Sequence, residues 1–180
     1  MRNECGSDRI SLEEARATPR LPFYGVLDNI RSAHNVGSIF RTSDGANLQE
    51  LLICGYSPIP PHRHLSKTAL GAVEVVPWRH CESVGDALQI LRGRGAQIIA
   101  MEKTDSSVSL HETELRFPVA LVMGNELNGL DEATRDLCDA TCHLPMQGLK
   151  NSLNVSVAFG ISLYEILRRF EIAQGEIALD

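Results

Sequence analysis

Short apolar runs alternate with helix-forming segments along most of this chain, and that alternation constrains the fold more than any other feature. The apolar runs are FYGVLDNI (23–30), ELLICG (50–55), AQIIAME (96–102), PVALVMG (118–124) and ATCHLPM (140–146). Helical patterns separate them, as in AHNVGSIFRTSDGA (33–46), VGDALQILRGRG (84–95) and DEATRDLC (131–138). This order predicts an α/β domain with a mostly parallel sheet flanked by helices.

The loops that follow the predicted strands are the expected place for chemistry, because parallel sheets bind ligands at the carboxyl ends of their strands. In the first such loop, Asn35 and Ser38 lie near a helix start, where backbone amides favour anions, and Arg41 follows further along the helix. The alternative is a helix cap and a surface arginine. In the second, Gly124 permits close approach to the backbone, and Glu126 is a candidate partner for Arg41. The alternative there is an ordinary tight turn.

The last helix is unusual because polar and small residues crowd its beginning. We expect it to start near Ser152, which is a good N-cap residue. Ser152, Ser156 and Gly160 are four residues apart and predict a small-residue stripe that admits close packing. A predicted apolar face accompanies that stripe and consists of Leu153, Val157, Ile161 and Tyr164.

The net charge and the cysteine pattern restrict the possible partners and the cellular compartment. The net charge of −6 argues against a nucleic-acid partner, but residues 28–80 hold five Lys/Arg, four acids and four of the six histidines, so a local phosphate-binding face stays open. Five cysteines without a C-x-x-C pair indicate reduced thiols. The polar start of the chain indicates neither a signal peptide nor a membrane span, so we expect a cytoplasmic protein without a membrane partner.

No metal is predicted. The histidines of PHRH (61–64) supply only two potential ligands on a proline-rich loop. Cys138, Cys142 and His143 are more simply explained by packing at a helix end and in a strand.

Three segments taken together carry a resemblance to a known family. In order, SAHNVGSIFRTSDGA, LVMGNELNGL and LPMQGLKNSLNVSVAFGISLYE resemble the motifs of the SpoU-type (TrmH-family) RNA ribose 2′-O-methyltransferases of the SPOUT superfamily. The resemblance implies an α/β knot with a C-terminal deep trefoil, a homodimer with the last helix at the interface, and S-adenosylmethionine as methyl donor. It implies an RNA substrate, tRNA or rRNA, with a first motif closer to the tRNA G18 and rRNA enzymes than to the wobble-position enzymes.

The resemblance also assigns site residues. Those for catalysis are Asn35, Arg41, Glu126, Ser152 and Asn154. For the cofactor, the family pattern marks Gly124, Leu144 and Leu153. We expect four further residues beside the cofactor: Met101, Glu102, Asn125 and Met146. Because a guanidinium stays protonated at neutral pH, we expect Arg41 to bind a phosphate and stabilise negative charge rather than act as a base. Glu126 would then orient Arg41, or Asn35 and Asn154 would hold the loops in register.

The expected domain limits are an N-terminal extension over 1–20, the methyltransferase domain over 21–172 and a tail over 173–180. Because few residues flank that domain, we expect its own surface, a dimer partner or another protein to recognise the substrate. Two other functions stay open: a non-catalytic knotted RNA-binding protein, and a SPOUT enzyme that methylates a base.

Overall fold

Seven parallel strands form the centre of the structure, a computed structural model that describes residues 10–176. The strands are β1 (Leu21–Asp28), β2 (Leu48–Cys54), β3 (Trp78–Cys81), β4 (Gln97–Met101), β5 (Val108–Ser109), β6 (Val119–Met123) and β7 (Ala140–His143). They lie side by side in the order β3-β2-β1-β6-β4-β7-β5, and every neighbouring pair is parallel. The predicted parallel α/β architecture is therefore confirmed.

Helices cover both faces of this sheet. They are α1 (Leu12–Ala17), α2 (Ala33–Gly45), α3 (Arg63–Ala69), α4 (Val84–Gly93), α5 (Glu132–Asp136) and α6 (Val155–Ala173), with 3₁₀ turns at Ala72–Glu74 and Leu110–Glu112. Local chemistry sets several of the starts. The Ser32 hydroxyl accepts a hydrogen bond from the Asn35 amide at α2, and Ser83 and Asp86 form a capping box at α4.

The two faces of the sheet bury separate apolar cores. On one face, α2, α3 and α6 pack on side chains such as Phe23 and Leu27. On the other, α4 packs on side chains such as Val26 and Leu52. Gly25 of β1 keeps α6 close to the sheet, since a Cβ atom there would lie 2.6 Å from Leu51 Cδ2 and 3.1 Å from the Phe159 ring.

Three elements were not predicted from the sequence. The edge strand β3 reads WRHC and has two exposed polar residues, so it lacks the apolar run of a buried strand. The other edge strand, β5, has only two residues. Helix α1 lies inside the expected N-terminal extension, begins with a capping box of Ser11 and Glu14, and buries none of its six residues.

Helix α6 begins later than expected, and its predicted apolar face is exposed. It begins at Val155 rather than near Ser152, and its N-cap residue is Asn154, so Ser152 lies outside the helix and outside the expected helical stripe. The predicted apolar face is not the face that packs on the sheet. That packing face consists of Val155, Phe159, Ser162, Leu163 and Ile166, whereas the exposed fractions of Leu153, Val157, Ile161 and Tyr164 are 38%, 48%, 45% and 49%.

Within residues 10–176, none of the helices is both long enough and apolar enough to cross a membrane.

Candidate active site

Side chains from three distant loops meet beyond the carboxyl ends of β1 and β6. The Asn35 side-chain amide donates to Glu126 Oε1 at 2.9 Å, and the Asn154 side-chain amide donates to Asn35 Oδ1 at 3.1 Å. Asn35 therefore joins the other two residues, which lie 91 and 119 positions away in the sequence. The predicted role of Asn35 and Asn154 in holding the loops together agrees with these contacts.

Glu126 binds the start of α2. Its carboxylate accepts the backbone amides of Arg31 at 2.8 Å and of Ser32 at 3.0 Å, in addition to the Asn35 side chain. Burial alone would raise the pKa of Glu126, but the hydrogen bonds from Arg31, Asn35 and Ser32 outweigh it and lower that pKa below its ordinary value. Glu126 is therefore ionised at neutral pH and compensates the unpaired amides at the approach to a helix N-terminus.

Asn154 has a second role at the start of α6. Its Oδ1 accepts the Ser156 amide at 2.9 Å, the Val157 amide at 3.4 Å and the Ser156 hydroxyl at 2.7 Å. One side chain thus caps α6 through its oxygen and contacts Asn35 through its nitrogen. Ser152 lies two residues earlier, is exposed, and does not cap the helix.

Arg41 lies on the exposed surface of α2, and the expected pairing with Glu126 is wrong. The side chain of Arg41 makes no hydrogen bond or ion pair with any residue in the range 10–176. The carboxylate of Glu126 bonds instead to the nearby amides, which the fold already holds in place. With respect to the described residues, Arg41 is consequently a cation whose donors are available to a ligand.

A cleft of about 450 Å³ opens beside the network, at the ends of β4, β6 and β7. Every residue that was assigned to the cofactor lines it: Met101, Glu102, Gly124, Asn125, Leu144, Met146 and Leu153. Glu126, Ser152 and Asn154 line it as well. Asn35 and Arg41 are outside its lining, so the structure places four of the five assigned catalytic residues in the cleft or in direct contact with it, and Arg41 apart.

Two of the assigned cofactor residues hold the wall of the cleft. The side-chain oxygen Oδ1 of Asn125 accepts hydrogen bonds from the backbone amides of Leu127 at 2.9 Å and Asn128 at 3.1 Å. The side-chain nitrogen Nδ2 of Asn125 donates to the backbone oxygen of Asn29 at 2.8 Å. The Glu102 carboxylate accepts the amide of Leu130 at 2.9 Å. Both polar groups therefore fix the loop between β6 and α5, in addition to lining the cleft.

Glycines bring that loop close to the strand ends. A Cβ atom on Gly124 would lie 2.5 Å from the carbonyl carbon of Gly129 and 2.6 Å from the Leu130 amide nitrogen, and both of these are backbone atoms. Gly129 has a φ of +66° and faces the Glu102 carboxylate. The loop can adopt this fold only because neither position carries a side chain.

Several lining residues were not predicted, notably Lys103, Met123, Cys142 and His143. The His143 ring nitrogen Nδ1 lies 2.9 Å from the Ser107 hydroxyl, which fixes the imidazole at the end of β7. Each of these four residues lies within two positions of the carboxyl end of β4, β6 or β7. Their position at the carboxyl edge of a parallel sheet was the signal that would have identified them.

The described cysteines are free thiols, as predicted: Cys54, Cys81, Cys138 and Cys142. Cys5 lies outside the described residues. Burial raises the pKa of the Cys142 thiol, so this cleft residue is neutral at physiological pH. Across residues 10–176, no cluster of three or more His, Cys, Asp or Glu side chains has an arrangement suited to a metal ion.

Comparison with known proteins gives a consistent result. A family model described as the SpoU rRNA Methylase family matches residues 22–164. The 23S rRNA (guanosine-2'-O-)-methyltransferase RlmB of Shewanella oneidensis is 34% identical over 158 residues, which are 88% of this chain and 64% of the relative. The RlmB of Pseudomonas aeruginosa is 35% identical over 149 residues, 83% of this chain and 60% of the relative.

Solved structures agree with the sequence matches. The A. aeolicus TrmH/SpoU tRNA modifying enzyme superposes with a TM-score of 0.80 at 29% identity, covering 91% of this chain and 84% of that one. The AdoMet-bound rRNA methyltransferase from Sinorhizobium meliloti superposes with a TM-score of 0.76 at 30% identity, covering 82% and 56%. The chain spans less than two thirds of the length of the two RlmB relatives.

Proposed function

Because the chain belongs to the SpoU rRNA methylase family, we propose that it transfers a methyl group from S-adenosylmethionine to a ribose 2′-hydroxyl of tRNA or rRNA. The observation that carries this proposal is the contact of Asn35, Glu126 and Asn154 at the edge of a cleft that contains all the assigned cofactor residues. The relatives named for guanosine 2′-O-methylation and the AdoMet-bound neighbour support the same reaction.

The cleft has the size and chemistry that the donor requires. Its volume of about 450 Å³ lies within the range of about 300–1,000 Å³ that is usual for small-molecule sites. Met101, Leu144, Met146 and Leu153 offer apolar surface for an adenine ring. The carboxylates of Glu102 and Glu126 add negative charge to the cleft, which suits a cationic sulfonium. When bound, S-adenosylmethionine would supply an electrophilic methyl group there.

The catalytic residues divide the remaining work. Arg41, with all its donors available, binds the phosphate next to the target ribose and stabilises negative charge that develops on the 2′-oxygen. Asn35 and Asn154 keep the first and third loops at a fixed separation, and Glu126 fixes the orientation of the Asn35 amide. Ser152, exposed at the edge of the cleft, offers a hydroxyl to the incoming ribose.

We further propose a homodimer that uses the exposed stripe of α6 formed by Val157, Ile161 and Tyr164. Its members lie three or four residues apart, which aligns them along one side of the helix, and all are exposed although apolar or aromatic. A second copy of the chain would bury them against the same residues of its own α6, as a two-fold interface does.

The expected trefoil knot and domain limits stay part of this proposal. The position of β7 between β4 and β5, both of which precede it in the sequence, is consistent with a chain end that passes through an earlier loop. Residues 21–172 would be the methyltransferase domain. The free cysteines of the described region support a reducing compartment such as the cytoplasm.

The test compares wild type with Arg41→Ala and with the control Arg116→Ala, a second exposed arginine that lies before β6 at the opposite edge of the sheet. Calorimetry with S-adenosylmethionine is followed by transfer of labelled methyl groups to bulk tRNA and rRNA. We expect donor affinity within about twofold of wild type in both variants, and loss of transfer only in Arg41→Ala. Transfer at the wild-type rate in that variant would remove Arg41 from catalysis.

The same assays separate the rival functions. Failure of the wild-type protein to bind the donor would favour a non-catalytic RNA-binding protein. Label that appears in methylated bases rather than in 2′-O-methyl nucleosides, after digestion of the RNA, would favour a base methyltransferase.

A further inference from the structure

Three histidines from two separate segments lie against one another near the candidate active site. The ring centroids of His34 and His64 are 5.5 Å apart, and those of His62 and His64 are 5.8 Å apart. His34 belongs to the first turn of α2, whereas the other two lie at the start of α3. With Arg63 and Lys67 of α3 they form a surface that we call the basic face.

Close packing of two helices produces this face. A Cβ atom on Gly37 would lie 2.0 Å from the Thr68 hydroxyl and 2.4 Å from the Leu65 carbonyl oxygen, so α3 crosses α2 almost at backbone contact. The Thr68 hydroxyl also donates to the His34 carbonyl at 3.2 Å. Gly37, a residue of the first sequence motif, therefore allows α3 to pack closely against α2.

The basic face continues along α2 to Arg41. His34 and Arg41 are seven residues apart, about two helical turns, so they lie on the same side of the helix. Asn35, the central residue of the polar network, directly follows His34 in the sequence. A strand of RNA whose target ribose lies near Asn35 would therefore pass over or beside this surface.

The local charge is positive although the whole chain carries −6. Of the four acids between residues 28 and 80, Asp28 and Glu50 are buried, and Glu50 pairs with Arg79 and Arg94. The exposed acids left in that segment are Asp44 and Glu74. Against them stand four exposed cations whose side chains bond to nothing within residues 10–176: Arg31, Arg41, Arg63 and Lys67.

We propose that the basic face binds backbone phosphates of the RNA strand that flanks the methylated nucleotide. The inference rests on the proposed function, because it assumes that RNA is the substrate. Arg63 and Lys67 supply the charge, and the exposed rings of His34 and His64 supply flat surfaces on which unstacked bases can lie. This combination of cations and aromatic rings indicates a single-stranded flank rather than a continuous duplex.

The test uses the full chain and compares the double variant Arg63→Gln/Lys67→Gln with the charge-matched control Arg92→Gln/Arg116→Gln. The control arginines are exposed and lie in the last turn of α4 and before β6, at the amino-terminal edge of the sheet. The affinity for bulk tRNA and for an rRNA fragment is measured at several salt concentrations. Melting temperatures of both variants verify the fold.

Loss of two phosphate contacts should make the plot of log affinity against log salt less steep by about 1.4. If wild type and variant bind equally at about 1 M salt, the variant then binds roughly 25-fold more weakly at about 0.1 M salt. We expect the KM for RNA to rise in proportion, with kcat and donor affinity unchanged, and the control to behave as wild type. An unchanged slope, or an equal loss in the control, would overturn the assignment. Absence of methyl transfer by the wild type would refute the proposed reaction while the salt slopes still decide the basic face.

Discussion

Replacement of Asn154 tests the link between helix capping and the candidate active site, because this side chain caps α6 and contacts Asn35. In Asn154→Ala, α6 loses the oxygen that accepts the Ser156 and Val157 amides, and Asn35 loses the donor that lies 3.1 Å from its Oδ1. Asn154→Ser is the matched variant. Serine is as good an N-cap as asparagine, but its shorter side chain cannot also reach Asn35.

The expected magnitudes follow from these contacts. Removal of an N-cap side chain costs about 1 kcal/mol of the free energy of unfolding. Loss of a hydrogen bond between neutral groups costs about another 1 kcal/mol. Asn154→Ala should therefore lose about 2 kcal/mol in total and melt about 4–8 °C lower for a domain of this size. Asn154→Ser should lose only the part that is due to Asn35, about half of that.

Catalysis should separate from stability in this pair. Both variants lose the contact with Asn35, so methyl transfer should fall in both by a similar factor, about 10² if the loops shift by about 1 Å. Stability is measured by denaturant unfolding, and transfer at saturating donor and RNA. Asn154→Ser with the wild-type kcat would refute the positioning role, and equal stability of the two variants would refute the capping role.

Two further changes test the loop that carries Glu126. Glu126→Gln should lose about 1–3 kcal/mol at pH 7, because the carboxylate accepts the amides of Arg31 and Ser32 and the side chain of Asn35. Since the pKa of Glu126 is lowered from 4.5 in the folded protein, its contribution is complete above pH 4.5 and is lost as the pH falls through the folded value. Unfolding at pH 7 and pH 3 should thus show a gap between variant and wild type that narrows in acid, and a constant gap would contradict this reasoning. Gly124→Ala should lower stability by about 1–3 kcal/mol and weaken donor binding, because the new methyl group meets backbone atoms of the loop; wild-type values in thermal melting and calorimetry would show that the loop moves without cost.

The central strands were predictable because strands that are covered on both faces are continuous apolar runs. The β4 sequence QIIAM and the β6 sequence VALVM have this form and are buried in the structure. The edge strands β3 and β5 were missed because an edge strand needs no such run and the second of them has only two residues. The sheet order, too, depends on contacts between distant segments that no local pattern reports.

The sequence left two features of α6 ambiguous: the residue at which it starts and the side that packs on the sheet. Ser152 and Asn154 are both favourable N-cap residues, so local propensity could not choose between them. In the folded protein Asn154 is the N-cap residue, and it also contacts Asn35. The helix is also apolar on two sides, one packed on the sheet and one exposed, and periodicity alone could not tell them apart.

The site was predicted more completely than the interactions within it. The cleft residues follow from the rule that parallel sheets bind ligands at their carboxyl edge, together with the resemblance to known motifs. The pairing of Glu126 with Arg41 was wrong because opposite charges were the only criterion available in the sequence. In the folded chain, backbone amides of Arg31 and Ser32 already lie within reach of that carboxylate.

The polar network also bears on the order in which the chain folds. Helix α2 can form from local contacts. The amide of Arg31 before it, however, donates to Glu126, which lies 95 positions later in the sequence. Asn35 accepts a hydrogen bond from Asn154, which lies 119 positions later. Contacts of such long range form after the entropy of closing the intervening chain has been overcome. A nascent chain that has made α2 and β1 therefore lacks this polar network. Under the proposed function, competence for the reaction arises only when the carboxyl-terminal helix has docked, and partly folded molecules are inactive.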